Sequence, residues 1–211
     1  VALIAVEDTA ENFIVVVPGA NGRVNQSDLQ RLDTVLPNVE VLLLQLEIPV
    51  EMVVAAARKA KEQGVTVILD PAPAQPLPKE IFPFIDIITP NESEAESLVD
   101  DEIESQDDAV RTAKKLQKFG VENVIIKMGS QGALALVKDE VHSYECYPVE
   151  AVDTVAAGDA FNGALAVALS EGVPLLEAIQ WGMACGALSV TKEGAQPSMP
   201  KRKELLDLIT K

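Results

Sequence analysis

Residues 153–163 combine the side-chain types and the spacing that phosphoryl transfer requires. Their sequence, DTVAAGDAFNG, places three small residues, Ala156, Ala157 and Gly158, at the start of a predicted helix. Because these residues carry almost no side chain, a phosphate can approach the backbone N–H groups and the positive end of the helix dipole. Asp159 follows directly, and a carboxylate beside a bound phosphate can take the proton of an attacking hydroxyl group. The segment therefore predicts phosphoryl transfer to an alcohol.

The same residues also have a purely structural interpretation, since Asp is common in a first helical turn and Ala-Gly pairs often serve only close helix packing. The segment resembles the second signature of the ribokinase family of carbohydrate kinases, Asp-Thr-x-Ala/Gly-Ala-Gly-Asp-x-Phe, and matches it at every specified position. The resemblance implies that Asp159 is the general base and contacts both sugar and ATP. It also implies that Ala156, Ala157 and Gly158 form the anion hole, with Gly158 at the nucleotide.

The composition is that of a single globular domain: 211 residues, 48% of them hydrophobic and 24% charged. A formal net charge of −16 argues against nucleic acid or an anionic membrane surface as a partner, because both would be repelled. Two cysteines, Cys146 and Cys185, with a lone His142, indicate neither a disulfide framework nor a zinc site. We expect a reducing, cytoplasmic setting, and no apolar run reaches membrane-spanning length.

Apolar runs alternate with helical patterns along most of the chain. Residues 1–6 and 12–17 predict an antiparallel hairpin around a polar turn at 7–11. The later predicted strands are 41–44, 65–69, 85–88 and 124–127, followed by a hairpin of 133–137 and 141–144. The predicted helices are 49–63, 92–99, 107–119, 159–170, 174–192 and 200–210. This alternation predicts the α/β class, as a three-layer α/β/α sandwich with a mostly parallel central sheet.

Polar or Gly-rich turns follow four of the predicted strands, at residues 45–47, 70–74, 89–94 and 128–132. Because ligands of open parallel sheets gather at the C-terminal ends of the strands, we expect the site to be there. Glu47 lies at one such end. Surface glutamates are common, but the run VLLLQLE at 41–47 looks like the family strand that ends in a sugar-contacting Glu, and a carboxylate is a suitable acceptor for sugar hydroxyl groups.

Asn91 and Glu94 lie three residues apart at a predicted helix start, so their side chains can share one face of the first turn. The same spacing fits an N-terminal capping box. The Asn-x-x-Glu pattern at this place also resembles the family motif that organises Mg²⁺ and the nucleotide phosphates. The resemblance implies that Asn91 binds ATP and that Glu94 acts on Mg²⁺ through bound water, which this metal gives up reluctantly. Both roles could coexist.

The glycines of residues 128–132 permit positive φ and close backbone approach, although a plain hairpin turn is the simpler local interpretation. The segment resembles the family's nucleotide loop. The residues that would line ATP are Lys127, Met128, Gly129, Ser130, Gln131 and Gly132. The family often has Thr or Ser where this chain has Lys127, whose charge could reach a phosphate or lie at the surface. Met183 occupies a position near the adenine where relatives often have His, which implies sulfur and alkyl contact there.

Residues 189–198, SVTKEGAQPS, have a structural interpretation in which Gly194 caps a helix and Pro197 prevents its continuation. The part GAQPS, at residues 194–198, also resembles a loop of the family. In the family, this loop and the turn that begins at Asp153 (the 153 turn) together enclose a potassium ion. The implied ligands, mostly through backbone oxygen, are Asp153, Val155, Ser189, Lys192, Gly194 and Ser198. Such an ion would shape the anion hole without contacting substrate.

Family members are longer than this chain, and their first signature, with a sugar-gripping Asp, has no counterpart in it. We therefore expect a C-terminal fragment, in which residues 1–17 are part of the β lid through which members dimerise and residues 18–211 are the nucleotide-binding domain. The expected activity is ATP-dependent phosphorylation of D-ribose at its 5-hydroxyl, with Mg²⁺ and K⁺; the segments at 45–47, 70–74 and 194–198 favour ribose. Another sugar or nucleoside kinase of this fold, and a non-catalytic nucleotide-binding relative, stay open.

Overall fold

A computed structural model describes residues 2–6 and 12–210. The strands in this part of the chain are β1 (Ala2–Val6), β2 (Asn12–Val16), β3 (Val41–Leu44), β4 (Thr66–Leu69), β5 (Ile87–Ile88), β6 (Asn123–Lys127), β7 (Ala133–Val137) and β8 (Glu140–Tyr144). The α-helices are α1 (Gln26–Val35), α2 (Val50–Glu62), α3 (Glu92–Val99), α4 (Gln106–Lys118), α5 (Ala157–Ser170), α6 (Leu175–Ser189) and α7 (Arg202–Ile209). The chain divides into two units, one of Val1–Val17 with Cys146–Lys211 and one of Pro18–Glu145.

The unit Pro18–Glu145 contains a six-stranded sheet in the order β3-β4-β5-β6-β7-β8. Strands β3 to β6 pair in parallel, and β7 and β8 are added antiparallel to them. Parallel strands covered on both faces are apolar along their whole length, which is the pattern of VLLL in β3 and, after Thr66, of VIL in β4. The predicted α/β class with a mostly parallel sheet, and the predicted hairpin of β7 and β8, are confirmed.

Strand β5 has two residues, although the sequence IDII at 85–88 was predicted to form a strand of four. The reason is Asp86, whose carboxylate accepts a hydrogen bond from the backbone N–H of Val67 at 2.8 Å. The Asp86 N–H in turn donates to the Val67 carbonyl at 3.0 Å. A side chain therefore satisfies a backbone donor that a longer strand ladder would otherwise pair.

Helices α2 and α4 pack on the sheet through faces of small and aliphatic residues. Helix α2 contacts β3 and β4, and Val53, Ala57 and Ala60 are fully buried in it. Helix α4 contacts β6 and β7, and its fully buried Ala109, Ala113 and Leu116 recur at helical spacing. These predicted helices and α3 begin and end within one residue of their predicted bounds.

The apolar pattern does not predict helix α1. Leu29 is its only buried residue among those described, so the helix lacks the repeated apolar face that would mark it in sequence. Its start is nonetheless encoded by a capping box, in which Asn25 accepts from the N–H of Ser27 at 2.9 Å and Asp28 accepts from the N–H of Asn25 at 3.0 Å. This Asn-x-x-Asp spacing is the signal that could have found α1.

The other unit contains the β1–β2 hairpin and helices α5, α6 and α7. The hairpin is antiparallel, with Ala2 opposite Val16, as predicted, whereas its predicted turn at 7–11 lies outside the described residues. Helices α5 and α6 pack closely because α6 carries glycine at the contact: a Cβ atom on Gly182 would lie 2.8 Å from the Phe161 ring. At Gly186 a Cβ would lie 3.4 Å from the Ala157 carbonyl oxygen, so the α5 start lies against α6.

Helix α6 ends at Ser189, three residues before its predicted end. The hydroxyl groups of Ser189 and Thr191 donate to the carbonyls of Gly186 and Leu188, at 2.8 and 2.7 Å. Such local side-chain bonds compete with helix propagation. In the part of the chain that the structure describes, no helix combines the length and apolar character needed to cross a membrane.

Candidate active site

The N-terminus of helix α5 exposes backbone donors without a side-chain cap. Its N-cap residue, Ala156, has the left-handed conformation, with φ 62° and ψ 14°. The N–H groups of Ala157 and Ala160 donate to the carbonyls of Thr154 and Ala156. Between them, the N–H groups of Gly158 and Asp159 donate to no protein acceptor among the described residues. Two helix-start donors beside small residues form the geometry that binds an oxyanion.

Asp159 lies in the first turn of α5 and is exposed. Its carboxylate makes no ion pair or hydrogen bond within the described part of the chain. A carboxylate of this kind can accept a proton from a hydroxyl group that is bound near the helix N-terminus. The predicted base and the predicted anion hole are therefore adjacent in one helical turn.

Asp153 links the 153 turn to the loop that follows α6. One carboxylate oxygen accepts from the N–H of Val155 at 2.9 Å, and the other accepts from the N–H of Gly194 at 2.8 Å. These two backbone hydrogen bonds hold the pKa of Asp153 below its ordinary value. Gly194 has φ 80°, a conformation that favours glycine. The two loops predicted to enclose a cation are thus joined by one side chain.

The remaining predicted cation ligands belong to the same two loops. Ser189 and Ser198 are fully buried, and the Ser198 hydroxyl donates to the Ala195 carbonyl at 2.7 Å. Lys192 is exposed and its ammonium group pairs with Glu204 at 3.0 Å. Because an ammonium group has no acceptor, Lys192 could ligate a cation only through its backbone oxygen. No cluster of three or more His, Cys, Asp or Glu that could hold a metal occurs in residues 2–6 and 12–210. Backbone carbonyl and hydroxyl oxygens, the donors that suit K⁺, are what these loops offer.

In the other unit, Asn91 and Glu94 form the capping box that their spacing allows. The Asn91 amide oxygen accepts from the N–H of Glu94 at 2.8 Å and from the hydroxyl of Ser93 at 2.9 Å. One Glu94 carboxylate oxygen accepts from the N–H of Asn91 at 2.8 Å. Glu94 is only 7% exposed, and burial raises its pKa. The structural interpretation of this pair is confirmed, and the metal role remains a prediction.

Lys127, the last residue of β6, forms an ion pair with Asp70, the first residue after β4. The Lys127 Nζ lies 2.9 Å from Asp70 Oδ1, and the two side chains are 16% and 5% exposed. Lys127 is thus largely buried rather than at the surface. Asp70 was not predicted as a site residue. The feature of the sequence that could have identified it is its position, as an acidic residue directly after the apolar end of β4.

Residues 128–132 form a tight loop after β6. The Met128 N–H donates to the Gly132 carbonyl at 2.8 Å and closes the loop around an exposed turn of Gly129, Ser130 and Gln131. Gly129 and Gly132 have φ 52° and 94°, so both predicted glycines adopt the positive φ that they were expected to permit. Met128 is buried beneath the turn.

Glu47 is exposed after β3, next to backbone that is tied to the loop after β4. The Leu46 N–H donates to the Ala72 carbonyl at 2.8 Å, and the Gln75 side chain donates to the Leu46 carbonyl at 2.9 Å. The sequence pattern gave no reason to single out Gln75. Met183, the predicted adenine contact, is buried in α6 with 9% of its surface exposed.

Comparisons with known proteins agree with one another. The model of the pfkB family carbohydrate kinases matches residues 1–202. The ribokinase of Haemophilus influenzae is 42% identical over 208 residues, which are 99% of this chain and 68% of that relative. The solved ribokinase of Thermotoga maritima superposes with a TM-score of 0.89 at 43% identity. That of Arabidopsis thaliana, complexed with ribose and ATP, gives 0.89 at 34% identity; each match covers 100% of this chain and 69% of the other.

Proposed function

This chain belongs to the pfkB family of carbohydrate kinases, and we propose that it transfers the γ-phosphoryl group of ATP to the 5-hydroxyl of D-ribose with Asp159 as general base. The coarser activity, ATP-dependent transfer of phosphate to a sugar hydroxyl, follows from its ribokinase relatives. Ribose as the acceptor and the roles of individual residues are the proposal.

The observation that carries the mechanism is the start of α5. Two N–H groups, those of Gly158 and Asp159, have no protein acceptor in the described part of the chain, and they would receive the negative charge that develops on the transferring phosphoryl group. The exposed Asp159 carboxylate would take the hydroxyl proton. The reaction then needs positioning and electrostatic stabilisation but no covalent intermediate.

Ribose as the acceptor is supported by the relatives named ribokinase and by the Arabidopsis structure complexed with ribose and ATP. Within this chain, Glu47 is the residue proposed to bind sugar hydroxyl groups. Its exposed carboxylate is suited to this, because an ionised carboxylate accepts hydrogen bonds through both oxygens. The nucleotide would contact Asn91 and residues 127–132, with Met183 near the adenine.

Two ions belong to the proposal. Mg²⁺ supplies charge neutralisation on the ATP phosphates when bound, and Glu94 would reach it through water. One Glu94 oxygen is used by the capping box, and the other has capacity to accept from such a water. K⁺ would lie between the 153 turn and the loop at residues 194–198. The carbonyl and hydroxyl oxygens of these two segments are the ligands that suit K⁺.

The assembly proposed is a homodimer formed through the β1–β2 hairpin. The hairpin forms a two-stranded sheet of its own, and pairing with the same hairpin of a second chain would enlarge that sheet. Light scattering of the full-length protein should give the mass of two chains, and a variant lacking residues 1–17 should lose it. A cytoplasmic setting stays a prediction that rests on the two free cysteines.

The acceptor is tested with a panel of sugars and full-length protein in a coupled assay of ADP formation. Turnover that is at least tenfold more efficient with D-ribose than with other pentoses, hexoses and nucleosides is expected. Efficient turnover with a different acceptor would keep the mechanism and replace the substrate. ADP formation with none of them would favour a non-catalytic nucleotide-binding relative.

A further inference from the structure

The Asp70–Lys127 ion pair joins two strand ends that are not neighbours in the sheet. Strand β5 lies between β4 and β6, and adjacent strands are about 4.8 Å apart, so the pair spans about 10 Å of sheet. The long lysine side chain crosses the end of β5 to bring its Nζ to 2.9 Å from Asp70 Oδ1. Thr89, the residue that follows β5 at this edge, is fully buried. The pair is therefore a cross-link over the C-terminal edge of three strands.

The backbone of Lys127 adds a second link at the same edge. Its N–H donates to the Pro90 carbonyl at 2.8 Å, and Lys127 pairs with Asn91 in a parallel β-bridge. The residue thus fixes the place where the 128–132 loop begins relative to the Asn91–Glu94 capping box. One residue connects the loop after β6 to the loops after β4 and β5.

The burial of the pair sets the cost of moving the ammonium group. If Lys127 turned towards a phosphate, it would remove a cation from a carboxylate whose side chain is 5% exposed. Taking one partner from a buried ion pair is unfavourable, because the Asp70 carboxylate would lose the opposite charge that is held 2.9 Å from it. The ammonium group is held 2.9 Å from the Asp70 carboxylate, so part of its charge is offset there.

We propose that Lys127 is a positioning residue for the 128–132 nucleotide loop, held by Asp70, and that its ammonium group does not contact the ATP phosphates. This role rests on the proposed ATP-binding function of the loop. It differs from both alternatives that the sequence left open for Lys127, a phosphate contact and a surface position, since the side chain is committed within the protein.

The test compares adenosine with ADP, because only ADP carries phosphate. Affinities of full-length wild type, Lys127→Met and the double variant Asp70→Asn/Lys127→Met are measured by calorimetry for both ligands. Lys127→Met should weaken the binding of adenosine and of ADP by the same factor, about tenfold, because a displaced loop affects contacts with the whole nucleotide. The double variant, which removes both members of the pair, should recover both affinities to within about threefold of wild type.

The control is Lys59→Met, which breaks the exposed ion pair of Lys59 with Asp33 at 2.7 Å and should change neither affinity. A selective loss of ADP affinity in Lys127→Met, without recovery in the double variant, would assign a phosphate contact and overturn the inference. If Lys127→Met is less stable but binds both ligands with unchanged affinity, the ion pair has only a structural role, and this result would also overturn the inference. If Lys127→Met does not fold, the double variant decides: wild-type preference for ADP supports the inference and a reduced preference contradicts it.

The two proposals fail separately. Wild-type protein that binds neither adenosine nor ADP would overturn the nucleotide function and this inference together. Wild-type protein that binds ADP but does not phosphorylate ribose would contradict only the proposed reaction, and the ratio of the two affinities in the variants would still decide the role of Lys127.

Discussion

The Asp153 carboxylate accepts a hydrogen bond from the backbone N–H of Gly194 at 2.8 Å, across 41 residues of chain. Its other oxygen accepts from Val155, so one side chain sets the spacing between the turn that leads into α5 and the loop after α6. This spacing is what a cation held by the backbone oxygens of both loops would depend on. The turn that leads into α5 and the proposed K⁺ site are therefore one structural unit.

Replacing Asp153 by Asn should impair the response to K⁺. An amide offers one acceptor oxygen in place of two, so it cannot hold both N–H groups. We expect the K⁺ concentration for half-maximal activation to rise at least tenfold, while Asp207→Asn, a change of an exposed acid in α7, leaves it unchanged. Titration of ADP formation with KCl at constant ionic strength measures this. An Asp153→Asn enzyme with the wild-type K⁺ response would contradict the assignment.

The lowered pKa of Asp153 predicts that the folded protein loses stability in acid. Its pKa in the folded protein is depressed by the two backbone hydrogen bonds, so its contribution is present above the unfolded-state pKa of about 3.9 and is lost as pH falls through the folded value. Between about pH 5 and about pH 3, the melting temperature of wild type should fall further than that of Asp153→Asn. The lower of these two pH values lies below the ordinary pKa of Asp. Parallel curves for the two proteins would show that the group is not linked to folding.

Ala156→Gly should stabilise the protein. A non-glycine residue in the left-handed conformation costs about 1 kcal/mol or more, and glycine removes this cost at φ 62°. Part of the gain is offset by the entropy of the unfolded chain, so we expect a net increase of up to about 1 kcal/mol in the free energy of unfolding. Ala160→Gly, in the interior of the same helix, should instead cost about 1 kcal/mol. Urea denaturation compares them, and equal losses would refute the strain at Ala156.

Gly182→Ala should destabilise the protein and disturb the α5 start. The added Cβ would lie 2.8 Å from the Phe161 ring, which overpacks the contact and costs about 1–3 kcal/mol. Gly163→Ala is the matched change, because nothing lies within 4 Å of a Cβ there, and it should be neutral or stabilising. The smaller ring-free side chain of Phe161→Leu should partly rescue Gly182→Ala. Additive losses in that double variant would count against the contact.

Thr112→Val should stabilise the protein by about 1–2 kcal/mol. The Thr112 hydroxyl is fully buried in α4 and has no hydrogen-bond partner in the described part of the chain, so its desolvation is uncompensated. Valine keeps the shape and removes the polar atom. Thr34→Val, where the exposed hydroxyl donates to the Arg31 carbonyl, should lie within about 0.5 kcal/mol of wild type. A destabilised Thr112→Val would mean that the hydroxyl has a partner.

The sequence could predict whatever depends on local pattern. The apolar runs of β3, β4 and β6 identify a parallel sheet, and the glycines at 129 and 132 adopt the positive φ that their positions suggested. It could not predict contacts made across long separations. Asp70 and Lys127 are 57 residues apart, and neither residue type by itself reveals the pair. Helix α1 was not predicted from the sequence, because only Leu29 in it is buried and its apolar pattern is too weak to indicate a helix.

The most direct test of the account is the rate of ribose-dependent ADP formation by full-length wild type and Asp159→Asn, with Asp207→Asn as the control. Loss of a general base predicts that kcat falls by a factor of about 10²–10⁴ while KM for ribose and ATP changes little. Asp207→Asn should match wild type. An Asp159→Asn enzyme whose kcat stays within about tenfold of wild type would contradict the central claim that Asp159 takes the hydroxyl proton.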